Sequence, residues 1–145
     1  MGELANTHIT VLGIALASRP REQPIGGSIE APFLVKHGDY YYLFVSFDRC
    51  CRGVNSTYNV VVGRSRKVTG PYVDRAGKAM TEGGGSLVIQ ATTANWRGPG
   101  HEAILQEPAG DYLVFHAYHG STGRPFLQIS TLAWEDGWPK AGALP

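Results

Sequence analysis

The chain has 145 residues, 43% apolar and 17% charged, with Lys+Arg 13 against Asp+Glu 12. That is long enough to bury a core in one domain, and a net charge of +1 leaves no basic excess to neutralise a run of phosphates, so nucleic acid drops out as a partner. The longest apolar run, residues 9–17 (ITVLGIALA), is broken by Thr10 and Gly13 and falls far short of the roughly 20 residues of a membrane helix, so no membrane partner is expected.

Nineteen glycines and nine prolines beside Tyr 7, Phe 5 and Trp 3 lean toward an all-β fold. In chain order, residues 9–17 predict a strand. Ala15-Leu16-Ala17 imitates a signal-peptidase site, but no Lys or Arg precedes it and Glu3 stands where a positive n-region belongs, so no cleaved leader is expected and the compartment stays open. A short apolar segment (PFLVK), the turn Gly38-Asp39, an aromatic strand at 40–47 (YYYLFVSF), a loop and a strand at 60–65 (VVVGRS) follow. The second half repeats the pattern with ILQEP, Gly110-Asp111, YLVFHAY at 112–118 and FLQIS at 126–130. Glu30-Ala31 returns as Glu102-Ala103 and Gly38-Asp39-Tyr40 as Gly110-Asp111-Tyr112, both at an offset of 72. Pro71-Tyr72 and Trp138-Pro139 close the two copies.

A meander of about four strands recurring at this period predicts propeller blades rather than a solenoid, with a single sandwich or barrel as the rival. No stretch keeps a helical period. The organisation expected is one partial propeller unit over 1–145: a strand or remnant of a preceding blade at 1–27, one blade-like repeat at 28–97 and another at 98–145. Two copies cannot close a ring of four to eight blades.

Among residues that carry chemistry, Glu30 lies between Ile29 and the Ala31-Pro32-Phe33 run, a setting that raises a carboxyl pKa and suits a general acid. From position alone, a solvated strand-end glutamate is the favoured reading. His101, in GPGHEA, is a candidate metal ligand or structural histidine, with glycines that admit close backbone approach, and Glu102 follows it. His116 and His119, three apart on a strand, face opposite ways and do not chelate together. Cys50-Cys51 reads as two thiols on opposite faces of a strand, because a bond between adjacent residues strains the peptide between them. Arg52 and Asn55, on the loop that follows, suit a hydroxyl-rich ligand or ordinary turn chemistry. Gly83-Gly84-Gly85 lacks the Lys-Ser/Thr of a phosphate loop and reads as backbone packing beside a strand.

At these residues the chain resembles the arabinanases of glycoside hydrolase family 43, over about Leu16 to Pro139. The matching segments are ASRPRE, IEAPFLVKHGDYYYLFVSFDRCCRGVNSTYNVVVGRS, VTGPYVD, MTEGGGSLV, WRGPGHEA and GRPFLQISTLAWEDGWP. The resemblance implies an incomplete five-bladed β-propeller of about two to three blades, the C-terminal half of an enzyme that hydrolyses α-1,5-linked arabinan with inversion. It implies Glu30 as general acid, and His101 beside a metal ion, taken as calcium and held mostly through water. Cys51, Arg52 and Asn55 match a loop near the sugar subsites, and Phe33, Tyr58 and Trp96 are candidate aromatic platforms for the sugar. The family's catalytic base and its pKa-tuning aspartate come from upstream blades, yet no Asp stands among the 29 residues before Glu30. An inverting enzyme needs a second carboxylate about 6.5–9.5 Å from the acid. Asp48 is the nearest candidate, whereas Asp39 and Asp111 read as turn residues. The expected partners are therefore arabinan or an arabino-oligosaccharide and a second copy of the chain, in a homo-oligomer with a dimer favoured. The alternatives are a non-catalytic arabinan-binding fragment and a purely structural remnant.

Overall fold

The computed structural model describes residues 8–11, 13–20 and 27–144. Strands β1 (His8–Val11) and β2 (Ile14–Ser18) pair antiparallel, Ile9 opposite Ala17. Residues 9–17 are thus a hairpin and not the single strand expected. Gly13, which the apolar pattern treats as an interruption, has φ 76° and lies in the connection, a conformation glycine adopts without steric cost.

Strands β3 (Ile29–His37), β4 (Tyr40–Phe47), β5 (Asn59–Ser65) and β6 (Ser86–Ile89) form one four-stranded antiparallel meander. Strands β7 (Trp96–Glu107), β8 (Gly110–His119), β9 (Pro125–Glu135) and β10 (Trp138–Ala141) form another. No α-helix occurs among the described residues; Gly53–Asn55 and Met80–Glu82 make single 3-10 turns. The all-β reading holds.

The internal repeat is real but its register differs from the one expected. His37 pairs with Tyr40 across the first hairpin and Glu107 with Gly110 across the second, so the sheets superpose at an offset of 70, not 72. The second turn is consequently Pro108-Ala109, while Gly110-Asp111 opens β8. Asp111 is not a turn residue: its carboxylate accepts the Trp134 indole N–H at 2.7 Å. The offset of 70 also holds across the β3 bulge, where pairing slips between Glu30 and Phe33 as it does between Gly100 and Ala103 in β7; β7 carries one further slip between Arg97 and Gly100. The closures also differ, for Trp138-Pro139 begins the fourth strand of the second sheet, whereas Pro71-Tyr72 lies in the loop between β5 and β6.

Two cores hold these layers. Tyr42, Phe44, Val60 and Val62 of the first sheet meet Ile104, Leu113, Phe115 and Leu132 of the second. On the other face of the first sheet, Leu43, Val45, Phe47 and Val61 pack with Leu16 and Ala17 of the hairpin and with Tyr72 and Met80. Alternate residues of β4 therefore enter different cores, and Tyr42 through Phe47 are all buried. Aromatic and β-branched residues dominate this strand because both faces are dry. The Gly137 carbonyl ties the sheets by accepting the Tyr42 hydroxyl at 2.6 Å and the Arg64 guanidinium at 2.7 Å.

Candidate active site

The bulge in β3 sets the position of Glu30. Glu30 is opposite Ser46, the next residue Ala31 has φ 49°, and pairing resumes at Phe33 opposite Phe44. A bulge re-aims the side chains beside it. At the offset of 70, the equivalent of Ala31 is His101, with φ 53°. The structural counterpart of Glu30 is thus Gly100, and Glu102 occupies a different environment.

Glu30 is exposed, and its carboxylate accepts the Tyr58 hydroxyl at 2.8 Å. Tyr58 itself is buried, and burial together with that bond raises its phenol above the usual range. Close packing beneath it requires the glycines of the GPGH segment. A Cβ on Gly100 would run into the Tyr58 ring, and one on Gly98 would meet the Ser56 Cβ at 2.5 Å. The expected close backbone approach is therefore made to the loop before β5, at Ser56 and Tyr58.

Ser46 joins the two sheets at this point. Its hydroxyl accepts the His101 backbone N–H at 2.9 Å and donates to Glu102 Oε2 at 2.5 Å. Glu102 is buried with Oε1 unpartnered, and burial pushes its carboxyl up from 4.5 to about 7. The His101 side chain is exposed, and its ring lies 6.3 Å from that of His116. Burial, and secondarily the neighbouring His101, lowers the His116 pKa. His116 in turn stands 5.9 Å from the Tyr58 ring and 3.2 Å from the Tyr118 hydroxyl. His119 contacts Trp96 and Phe126 instead, consistent with the opposite faces its spacing predicts.

The Cys51 N–H donates to Tyr118 at 2.8 Å, which links the next loop to this cluster. Cys50 and Cys51 are joined in a disulfide. The expectation of two strand thiols is corrected: β4 ends at Phe47, and both cysteines lie in a loop where Cys51 takes φ 64°, so strand alternation does not apply. Cys51, Arg52 and Asn55 are exposed. Asn55 lines a 490 Å³ cleft with Thr57, Tyr58, Gln90 and Arg97, while Cys51, Arg52, Glu30 and His101 are not among its walls.

Of the three candidate aromatic platforms, Tyr58 is buried, while Phe33 and Trp96 are partly buried against the core between the sheets, Trp96 making edge contacts with His119 and Phe126. Asp48 is also engaged. It is buried, ion-paired with Arg19 at 2.5 Å and bonded to the Asn59 amide at 2.9 Å. Sequence reasoning missed Ser46 and the hydrogen-bonding role of Tyr58. The signal for Ser46 was a lone hydroxyl inside the apolar run YYYLFVSF.

No group of three or more His, Cys, Asp or Glu side chains gathers around a common point among the described residues. A hard cation prefers several oxygen ligands. Among the described residues His101 is therefore not part of a protein-built cage, and an ion there would have to be held largely through water.

The pattern of glycosyl hydrolases family 43 matches residues 3–139, and the chain belongs to this family. It is 48% identical over 126 residues to an extracellular endo-α-(1→5)-L-arabinanase of Bacillus subtilis, covering 86% of this chain and 37% of that protein. It is 49% identical over 114 residues to an extracellular exo-α-(1→5)-L-arabinofuranosidase of Cellvibrio japonicus, covering 77% of this chain and 33% of the other. Among solved structures, the Cellvibrio cellulosa α-L-arabinanase complexed with arabinohexaose superposes with a TM-score of 0.79 at 44% identity, covering 88% of this chain and 42% of that one. The chain thus spans little more than a third of the length of these sequence relatives.

Proposed function

We propose that the chain is an arabinanase-type glycoside hydrolase unit that acts on α-1,5-linked arabinan with inversion, as part of an incomplete five-bladed propeller. The observation that carries the reading is Glu30: an exposed carboxyl, hydrogen-bonded to Tyr58, beside His101 in a chain whose relatives are arabinanases. In this reading Glu30 protonates the glycosidic oxygen as the bond to the leaving sugar breaks, and Tyr58 fixes its orientation. Water attacks the anomeric carbon from the opposite face and passes a proton to a second carboxylate. Ser46 holds the His101 backbone in register with Glu30, and Cys51, Arg52 and Asn55 supply exposed groups for sugar hydroxyls. A calcium ion at His101 would add fixed positive charge beside the sugar.

Neither nearby carboxylate is suited to be the base. Asp48 is neutralised by Arg19 and Glu102 is buried against Ser46. In this reading the base therefore comes from outside the described residues. That these residues supply no base also favours a second reading, a non-catalytic arabinan-binding unit. Titration with arabino-oligosaccharides beside a reducing-end assay on linear arabinan separates them: the first reading requires release, the second saturable binding without release.

A further inference from the structure

The loop between β4 and β5 is pinned on both sides of its two cysteines. The Thr57 N–H donates to the Arg49 carbonyl at 2.9 Å, the Arg49 N–H to Thr57 Oγ1 at 3.2 Å and the Arg52 N–H to Ser56 Oγ at 3.0 Å. A Cβ on Gly53 would meet the Gly123 backbone at 3.3 Å, so the loop also lies tightly on the β8–β9 connection. Cys50 and Cys51 stand between these anchors, bonded to each other. Cys51 has φ 64°, a left-handed conformation that an L residue with a Cβ adopts roughly tenfold less readily than the right-handed one. A bond between adjacent side chains closes a small ring through their shared peptide and leaves the dipeptide few conformers, so it can hold a geometry the free residues would abandon.

That geometry makes one hydrogen bond to the second sheet. The Cys51 N–H donates to the buried Tyr118 hydroxyl at 2.8 Å, and His116 Nε2 lies 3.2 Å from the same hydroxyl. With its oxygen engaged by the Cys51 N–H, the phenol gives its proton to Nε2, and burial keeps His116 neutral and able to accept it. His116 pairs opposite Gly100, and its ring stands 6.3 Å from that of His101 and 5.9 Å from that of Tyr58, the residue bonded to Glu30. The cysteine pair is thus two hydrogen bonds away from the candidate site.

We propose that the Cys50–Cys51 disulfide is a redox-sensitive latch: closed, it holds the Cys51 N–H on Tyr118 and so orients His116 beside His101; opened by a small dithiol, it releases both. In the opening step one thiolate of the dithiol attacks a protein sulfur and breaks the Cys50–Cys51 bond, and its second thiol displaces the mixed disulfide. The dithiol is oxidised by two electrons to a cyclic disulfide, its two protons pass to the protein sulfurs, and Cys50 and Cys51 end as thiols. Freed of the ring, Cys51 returns to negative φ and turns its N–H away from Tyr118, while the bonds at Arg49, Arg52, Ser56 and Thr57 keep the rest of the loop in place. The cysteines are positioning residues that act through Tyr118. What the latch does to sugar binding rests on the arabinan reading above, whereas its hold on His116 does not.

Imidazole NMR of the full chain, oxidised and after reduction by dithiothreitol, tests the latch without any sugar. The oxidised wild type is expected to show His116 hydrogen-bonded at Nε2, and on reduction, scored by alkylation of both thiols, that signal should move. Cys50→Ser/Cys51→Ser should sit at the reduced position. Cys50→Ser/Cys51→Gly should stay at the oxidised position with or without reductant, because glycine takes positive φ at no steric cost; a merely structural disulfide predicts no such rescue. In Tyr118→Phe, reduction should leave the His116 signal still. Should the serine pair misfold, reduction of the wild type and the glycine variant decide. Affinity for an arabino-oligosaccharide should fall about tenfold on reduction, as the latched conformer becomes the minor one. A bond that dithiothreitol leaves intact in the native chain, a His116 signal unmoved by reduction, or a glycine variant that behaves as the serine pair overturns the inference. A His116 signal that moves as expected while no sugar binds in either state would leave the latch standing and count against the arabinan reading.

Discussion

Glu30 and Glu102 share an Ala neighbour in sequence and nothing else in environment. Glu30 faces solvent and receives a phenol, while Glu102 is buried against Ser46 with one oxygen unpaired. Replacing Glu30 by glutamine keeps shape and hydrogen bonding but removes the transferable proton, so arabinan turnover should fall by about 100- to 10,000-fold with the fold unchanged. Reducing-end release beside a thermal melt checks both halves of that statement. Glu102 governs stability instead. Its folded pKa of about 7 stands above the ordinary 4.5, so its contribution is fully present below the unfolded value and is lost as pH rises through 7. In chelator-treated protein the unfolding free energy should therefore be larger at pH 5 than at pH 8, by on the order of 3 kcal/mol, a difference that Glu102→Gln abolishes. A variant that retains the full slope would place the titration elsewhere.

At the scale of the elements, the strands at 40–47 and 60–65 were legible because apolar β-formers run between clear turn signals. The all-β class followed from them. The register of the repeat was not legible. Glu-Ala and Gly-Asp-Tyr recur at an offset of 72 although the hairpins align at 70, so matching residues suggested an equivalence that strand pairing contradicts. The Cys50–Cys51 bond was hidden for a related reason, since it depends on a loop backbone with Cys51 at positive φ and not on spacing. Of the candidate site, Glu30 and His101 could be singled out from their flanking residues, but Tyr58 and Ser46 reach them from other strands. Glycine placement in β7 was readable in kind, and its partner was not. Gly100→Ala should force the Tyr58 ring aside and destabilise the chain by about 1–3 kcal/mol, the cost of overpacking a close-packed site. Chemical denaturation measures this directly. A neutral Gly100→Ala would mean that Tyr58 does not pack tightly against β7 here.

The molecule as a whole is a stack of a hairpin and two four-stranded sheets, with one apolar core in each of the two junctions. Its most exposed apolar side chains lie on the outer face of the second sheet, at positions whose counterparts in the first sheet are buried. The reading of the protein stands on Glu30 as proton donor to an arabinan glycosidic bond. The most direct measurement is reducing-end release from linear α-1,5-arabinan by the wild type and by Glu30→Gln. The account predicts release by the wild type and at least about a hundredfold less by the variant. Equal release by the two proteins, or none from the wild type, would contradict it.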